Sequence, residues 1–451
     1  MNKALSLVLT TLFFLTLTGT ALAQTATAPA AGDGSPGNPY QIATLENLYW
    51  IAAPDAVVPL PNRAARWAAH YIQTADIDAS ATSGWDGGAG WTPIGGQFPA
   101  PYFTGTYDGG GYTISGLFIN RPGSDFQGLF GFAENATIKN LGLIGVNITG
   151  ANNVGGLVGA IQGFPGTTVS NSYATGAVNG ADNVGGLVGW IVGGSVSNSY
   201  ATGAVNGTTS VGGLVGLNSA SGTVTNSYAT GAVNGTVRVG GLVGWNAGIV
   251  TNSYATGAVA GGGADVGGLV GLNPASGTVT KSFYDRNTTG QSDTGKGTPK
   301  TTAQMKDIAT FSAWSIVDGW EQANGNVWGI CQSASYPFLL WQYSSNPCTY
   351  SLSVRSFGAS YVSITATPGI YGGTTNYAKA GILFGTTITL TAPATKDNSN
   401  FTSWRGCNST NQSARTCTVT MNGNRTVTAH YDGDTPKALP GVLMLLLDDA
   451  E

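Results

Sequence analysis

VGGLVGAIQGFPGTTVSNSYATGAVNGADN, residues 154–183, is the stretch on which the fold turns, because the chain goes on to repeat it. The hexapeptide VGGLVG starts at Val154, Val184, Val211, Val239 and Val266, in steps of 30, 27, 28 and 27 residues. A second block, NSYATGAV, starts at Asn171, Asn198, Asn226 and Asn252 and decays to KSFYDRNT at Lys281. A period of this length, rich in Gly, Val, Thr and Asn and without a helical stretch, is the signature of a β-solenoid. One cassette cannot fold alone. Ordering each residue costs about 1–2 kcal/mol of backbone entropy, against roughly 1.5–3 kcal/mol for each buried apolar side chain. Parallel coils stacked about 4.8 Å apart pair every strand above and below and turn single Val and Leu residues into buried columns.

The smaller residues fit this stack. Gly155, Gly156 and Gly159, with their equivalents, are expected to supply positive φ and close approach at corners. Asn171, Asn198, Asn226 and Asn252 are expected to form an amide ladder at another corner. Tyr173, Tyr200, Tyr228 and Tyr254, followed by Phe283, line up as an aromatic column, and Thr175, Thr202, Thr230 and Thr256 as a hydroxyl column. These two columns are the candidate binding residues. A straight strand through Val169 would turn Tyr173 and Thr175 inward, whereas a corner at Asn171 would turn them outward and put Ser172 and Ala174 inside.

VGGLVGxN followed by NSYATGAV resembles the GLUG repeat of secreted bacterial surface proteins, including adhesins and the non-catalytic part of IgA-specific metallopeptidases. NPYQIATLENLYWIA at Asn38, YIQTADIDA at Tyr71, GWTPIG at Gly90 and FTGTYDGGGYTISGLFI at Phe103 resemble the first coils of such proteins. TTAQMKD at Thr301 and WGICQSASYPFLLWQ at Trp328 are similar to their closing segment. The resemblance implies an all-β, right-handed parallel β-helix. With FQGLFG at Phe126 as a degenerate rung, about seven coils are expected, on the order of 30–35 Å of stack. Downstream, YSLSVRSF, YVSITATP, TTITLTAP, FTSWRGC, CTVTM and RTVTAHY alternate as short strands do. This part resembles the divergent internalin-type B-repeat, which implies a small β-rich spacer module without catalysis.

The expected organisation is a signal peptide at 1–23, a flexible linker at 24–37, an N-terminal cap and first coil at 38–100 and the β-helix at 101–285. A C-terminal cap segment at 286–347, a β-rich domain at 348–432 and a tail at 433–451 follow. Lys3, the apolar run from Ala4 to Leu17 and the small-residue site Ala21-Leu22-Ala23 read as a secretory leader, which places the protein outside the cytosol or at the cell surface. After its removal no integral membrane span is expected. The apolar run from Leu439 to Leu447 is too short for one. Thr44 offers a helix N-cap. NTTGQSDTGKGTPKTT reads as a mobile loop, and Phe311, Trp314, Trp320, Trp328, Trp341 and Tyr343 as the core of the C-terminal cap.

Four cysteines in an exported chain point to disulfides. Sequence proximity favours Cys407 with Cys417 and Cys331 with Cys348. With charged residues at 9%, a net charge of −4 and only 18 Lys plus Arg, the chain offers no basic stripe for nucleic acid. Ligands must be held by shape, hydroxyls and rings.

Catalysis finds little footing. A zinc peptidase needs two His at helical spacing with a Glu between them, and the only histidines are His70 and His430. Between Val154 and Thr280 the charged residues are Asp182, Arg238 and Asp265, each alone in its cassette. No cofactor, metal site or catalytic residue is therefore expected. Asp76, Asp78 and Asp108 could serve a lyase or glycosidase in the first coils, but turn duty suits them better. The expected function is a non-catalytic surface protein acting in adhesion or as a spacer, with a glycan or a host or cell-surface protein as partner. A polysaccharide lyase or glycosidase is the first alternative, and ice binding by the Thr ladder the second.

Overall fold

The computed structural model describes residues 24–96, 101–164, 166–263, 265–320, 325–421 and 423–432. The leader expected at 1–23 and the tail expected at 433–451 lie outside these residues. The chain divides into two compact units, Met1–Pro299 and Lys300–Glu451.

The first unit is a parallel β-solenoid. One of its sheets runs Tyr40–Ile42, His70–Gln73, Thr106–Asp108, Thr137–Lys139, Thr167–Ser170, Val188–Ser197, Val215–Thr225, Val243–Asn246 and Val270–Leu272, each strand bonded to the next. That makes nine coils, where the repeat alone led us to expect about seven. The extra coils lie in the segment expected to be mainly cap, where Tyr40 pairs with Tyr71 and Tyr71 with Tyr107 although no VGGLVG marks them. In the cassettes the register is identity on identity: Val154 over Val184, then Val211, Val239 and Val266. Four of these five valines, Val154 to Val239, are fully buried, as are Leu157, Leu187, Leu214, Leu242 and Leu269. At about 1.5–3 kcal/mol for each side chain these columns supply the core that one coil lacks.

Asparagine makes the corners. Asn140, Asn171, Asn198, Asn226 and Asn252 all sit at φ between 47° and 53°, a region Asn tolerates through local hydrogen bonding. The other left-handed corner falls on Asn153, Asn183, Ser210, Arg238 and Asp265. The expectation that Gly155, Gly156 and Gly159 supply the positive φ is therefore corrected: they serve close approach. A Cβ on Gly156 would lie 2.4 Å from the Gly186 carbonyl oxygen and 2.8 Å from the Ala174 methyl.

The degenerate rung at Phe126 departs from the others in a way its letters hide. Phe130 keeps register with Val158, but Gln127, not Phe126, bridges to Val154. Phe126 then takes the left-handed corner, at φ 56°, where later coils carry Asn, Ser, Arg or Asp. A bulky side chain held there costs of order 1–3 kcal/mol. Gln127, 3% exposed, stands where those coils bury Val, and its Oε1 has no hydrogen-bond partner.

Both ends of the stack are closed. Helix α1, Leu45–Ala52, is capped by the Thr44 hydroxyl, which accepts from Asn47 N at 3.2 Å, and it buries Leu48, Tyr49, Trp50 and Ile51. Residues 24–37, expected to be a flexible linker, lie bonded against this helix: Thr27 N donates to Glu46 O, and Asn47 Nδ2 to Thr27 O. Helix α2, Arg63–Ala68, carries Arg66 fully buried. Its guanidinium lies over the Trp50 ring and donates to the carbonyls of Val58, Pro61 and Ala53, which ties down the loop between the helices. At the far end the segment expected to be a mobile loop binds the last coil. Asp293 accepts from Gly268 N, the Lys296 ammonium donates to Val266 O and Gly271 O, and Gln291 donates to Val259 O. The exposed strand edge is thereby covered.

In the second unit, Phe311, Trp314 and Trp328 pack with ring centroids 4.7 and 4.8 Å apart. Cys331 and Cys348 are bonded and cluster with Phe338 and Leu340. The β-rich module faces two five-stranded sheets around Leu352, Val354, Ile388, Leu390, Val419 and Val427. Tyr377–Leu383 is a strand that the alternation did not reveal. Cys407 bonds Cys417 across 10 residues. Cys407→Ser should lower the stability of this module by roughly 2–3 kcal/mol, read as an earlier midpoint in urea; an unchanged midpoint would show that the bridge contributes nothing.

Candidate functional site

The corner at Asn171 decides which way the candidate ladder faces. Because the chain turns there, Ser172 and Ala174 are the buried residues, and Tyr173 and Thr175 project from the opposite face. Ser172, Ser199, Ser227, Ser253 and Ser282 form an internal tape. The Ser199 Oγ accepts from Ser172 N at 3.2 Å and donates to Ser197 O at 2.7 Å, and the pattern recurs coil after coil. Outside it the tyrosine rings stack: Tyr173 on Tyr200 at 4.8 Å, Tyr200 on Tyr228 at 4.9 Å and Tyr228 on Tyr254 at 5.0 Å, their planes within 5° of parallel. The spacing is that of the strands themselves.

This geometry limits what the column can do. The inner rings turn their flat faces to one another, and the first, Tyr173, lies against Gly142, where a Cβ would come 2.5 Å from the ring. A sugar stacking on a ring needs a free face, so the column acts first as a structural spine. The hydroxyl column is uneven: Thr202 is exposed, Thr175 and Thr230 are half-buried, and Thr256 is 9% exposed. Thr175 Oγ1 accepts from Gly145 N at 2.9 Å. A flat, open hydroxyl lattice of the kind that would order water does not form.

Amide ladders run beside the spine. Asn206 Nδ2 donates to Asn179 Oδ1 at 2.9 Å, and Asn234 Nδ2 to Asn206 Oδ1 at 3.0 Å. A buried ladder that the sequence reading missed joins Asn218 to Asn246 and Asn246 to Asn273, each bond 2.7 Å. The xN that follows VGGLVG was its signal, visible as Leu217-Asn218, Trp245-Asn246 and Leu272-Asn273.

The carboxylates of the first coils hold the backbone. Asp76 accepts from the Thr113 amide and hydroxyl at 2.8 and 2.9 Å, and Asp78 accepts from Ser80 N at 2.9 Å. Asp108 binds Gly110 N, the Asn140 amide and the Lys139 ammonium. Partial burial pushes the Asp108 carboxyl up, but these donors outweigh it and hold it below the ordinary carboxylate range. His70 lies in the strand His70–Gln73. His430 packs beside Phe357 in the strand Arg425–Tyr431, where burial, reinforced by Arg405, lowers its pKa. Among the described residues, no three His, Cys, Asp or Glu side chains are grouped to hold a metal ion, and no helix is long and apolar enough to cross a membrane.

The architecture defines a class, a parallel β-solenoid of stacked cassettes with a separate β-rich module. The cassettes match the family described as the GLUG motif at 150–179, 180–206, 207–234 and 235–260, and residues 362–435 match the divergent InlB B-repeat domain. The chain thus carries four GLUG motifs within residues 150–260 of its solenoid and an InlB-type B-repeat at 362–435.

Halomucin of Haloquadratum walsbyi is 40% identical over 164 residues, 36% of this chain and 2% of that protein. A protein of Evansella cellulosilytica, provisionally named a Gly-rich membrane protein, is 51% identical over 83 residues, 17% of this chain and 9% of its own length. The chain therefore spans a small fraction of these relatives. A crystal structure from Bacteroides ovatus, provisionally named an immunoglobulin A1 protease, superposes with a TM-score of 0.51 at 20% identity over 69% of this chain and 94% of the other. That likeness concerns the fold.

Proposed function

We propose that this is an exported surface protein without catalytic activity, whose solenoid is a rigid spacer and binding scaffold and which also carries a B-repeat module. The observation that carries this reading is the identity register. Val, Ser, Ala, Tyr and Asn columns run from coil to coil, so most positions in a cassette are engaged in holding its neighbours. The acids that could have served a hydrolase, Asp76, Asp78 and Asp108, are engaged with backbone and amide donors. Two disulfides suit an oxidising compartment, and the similar stretches of halomucin and of a protein named for a membrane suit a place at the cell surface.

The test is product analysis after prolonged incubation of the full chain with neutral and acidic polysaccharides. No shortened chains are expected from the native protein. Release of oligosaccharides that disappears in an Asp76→Asn, Asp78→Asn, Asp108→Asn triple variant would replace this reading with an enzyme of the first coils.

A further inference from the structure

We infer that a cleft at the Phe126 corner of the solenoid binds a single neutral hexose unit of a polysaccharide. This rests on the surface-protein reading and names a site and ligand class for it. The cleft measures about 190 Å³ and is lined by Arg63, Thr92, Arg121, Asp125, Phe126 and Gln127 among others. Pockets that engulf drug-sized molecules run to roughly 300–1,000 Å³, so this one takes one ring.

Two neighbouring positions on its wall break the rule that every later coil obeys. Phe126 holds the left-handed corner that elsewhere falls to Asn153, Asn183, Ser210, Arg238 and Asp265. Gln127 replaces the column valine and leaves its Oε1 buried and unpaired, while its Nε2 donates to Asp125 O at 2.6 Å. Where adjacent residues depart together from a pattern that favours stability, a function is the expected compensation.

The rest of the wall is built. Arg63 lies with its guanidinium 5.0 Å from the centroid of the Trp67 ring, and its Nε is a buried donor without a partner. Arg121 is fixed by Asp86 at 2.6 Å, Thr92 Oγ1 at 3.1 Å and the carbonyls of Gly90 and Trp91. Asp125 is oriented by Asn152, whose backbone and side-chain nitrogens both donate to its Oδ1.

A sugar hydroxyl both donates and accepts, which complements the two atoms of the lining residues that lack a partner, the Gln127 Oε1 acceptor and the Arg63 Nε donor. The Phe126 side chain, which lines the cleft, offers apolar surface to the sugar's C–H face. Asp86 neutralises Arg121, and Asp125 balances Arg63, so the wall carries no net charge for a uronic acid to use.

The experiment is affinity electrophoresis and calorimetry of the full chain with dextran, galactan, a soluble β-glucan and polygalacturonate. At least one neutral polymer should bind, and polygalacturonate more weakly. Arg63→Met keeps the stem over Trp67 and removes the donors; it should weaken binding about tenfold, the effect of losing one charge-assisted hydrogen bond. Phe126→Asn with Gln127→Val restores the residues of the later coils and should abolish binding while melting no lower than the native protein. Ile249→Ala, at an exposed side chain on a distant coil, should leave binding intact.

Failure of every neutral polymer to bind, a preference for polygalacturonate, or undiminished binding by both variants would overturn the site. So would a double variant that melts lower, because Phe126 and Gln127 would then be packing residues. Undiminished binding by both variants leaves the surface-protein reading standing. Cleavage of a polymer whose binding still follows Arg63 would keep the site and remove the non-catalytic reading.

Discussion

Gly203→Ala is expected to destabilise the solenoid by on the order of 4 kcal/mol, the far tail of single substitutions. Gly203 lies outside the left-handed region, so the effect is one of space alone. A Cβ there would come 1.6 Å from the Gly176 carbonyl oxygen, and the same approach recurs from Gly231 to Gly203 and from Gly257 to Gly231. Backbone meets backbone, and no side chain can swing away. Coils would have to separate locally, breaking strand pairs on both sides. Gly262→Ala is the matched control: its Cβ meets nothing within 4 Å, and a change within about 0.5 kcal/mol is expected. Urea denaturation followed by tyrosine near-ultraviolet dichroism measures both. Equal midpoints for the two variants would mean that the coils are not stacked as described.

Arg66→Met should cost about 3 kcal/mol. The methionine keeps contact with Trp50 but leaves the carbonyls of Ala53, Val58 and Pro61 without the guanidinium, and each buried acceptor left unpaired costs about 1–3 kcal/mol. Arg66→Lys should fall between Met and the native residue, since one ammonium cannot reproduce the planar fork. The same urea titration reads it. A methionine variant as stable as the native chain would show that water replaces the guanidinium and that the loop between α1 and α2 does not depend on it.

The period, the identity register of the columns, the asparagine corner and both cysteine pairings were legible in the chain because each is written as a repeat or a short spacing. What escaped were features that depend on three-dimensional neighbours. Tyr40, Tyr71 and Tyr107 stack like later residues but share no motif with them, so coils were undercounted. The positive φ assigned to Gly155 belongs to Asn and its substitutes, since glycine serves close approach as readily as backbone freedom. NTTGQSDTGKGTPKTT looks mobile by composition, yet its Asp293 and Lys296 find unpaired backbone groups on the last coil. The candidate ladder was found as a column, but letters alone could not show that its rings turn their faces to each other. Letter alignment also put Phe126 on Val154, because the rung is one residue shorter between Gln127 and Phe130 than between Val154 and Val158.

The seals at the two ends have a consequence for how such a protein changes over generations. The Asp293 and Lys296 contacts fall on the last coil and the α1 lid packs on the first coils, and a cassette between Val184 and Val266 meets nearly the same neighbours above and below. Duplicating or deleting a whole 27- or 28-residue unit there leaves every column continuous and both lids seated. Reach is therefore the property that recombination between similar stretches of the gene can alter most freely, in steps of about 4.8 Å, while the fold stays the same.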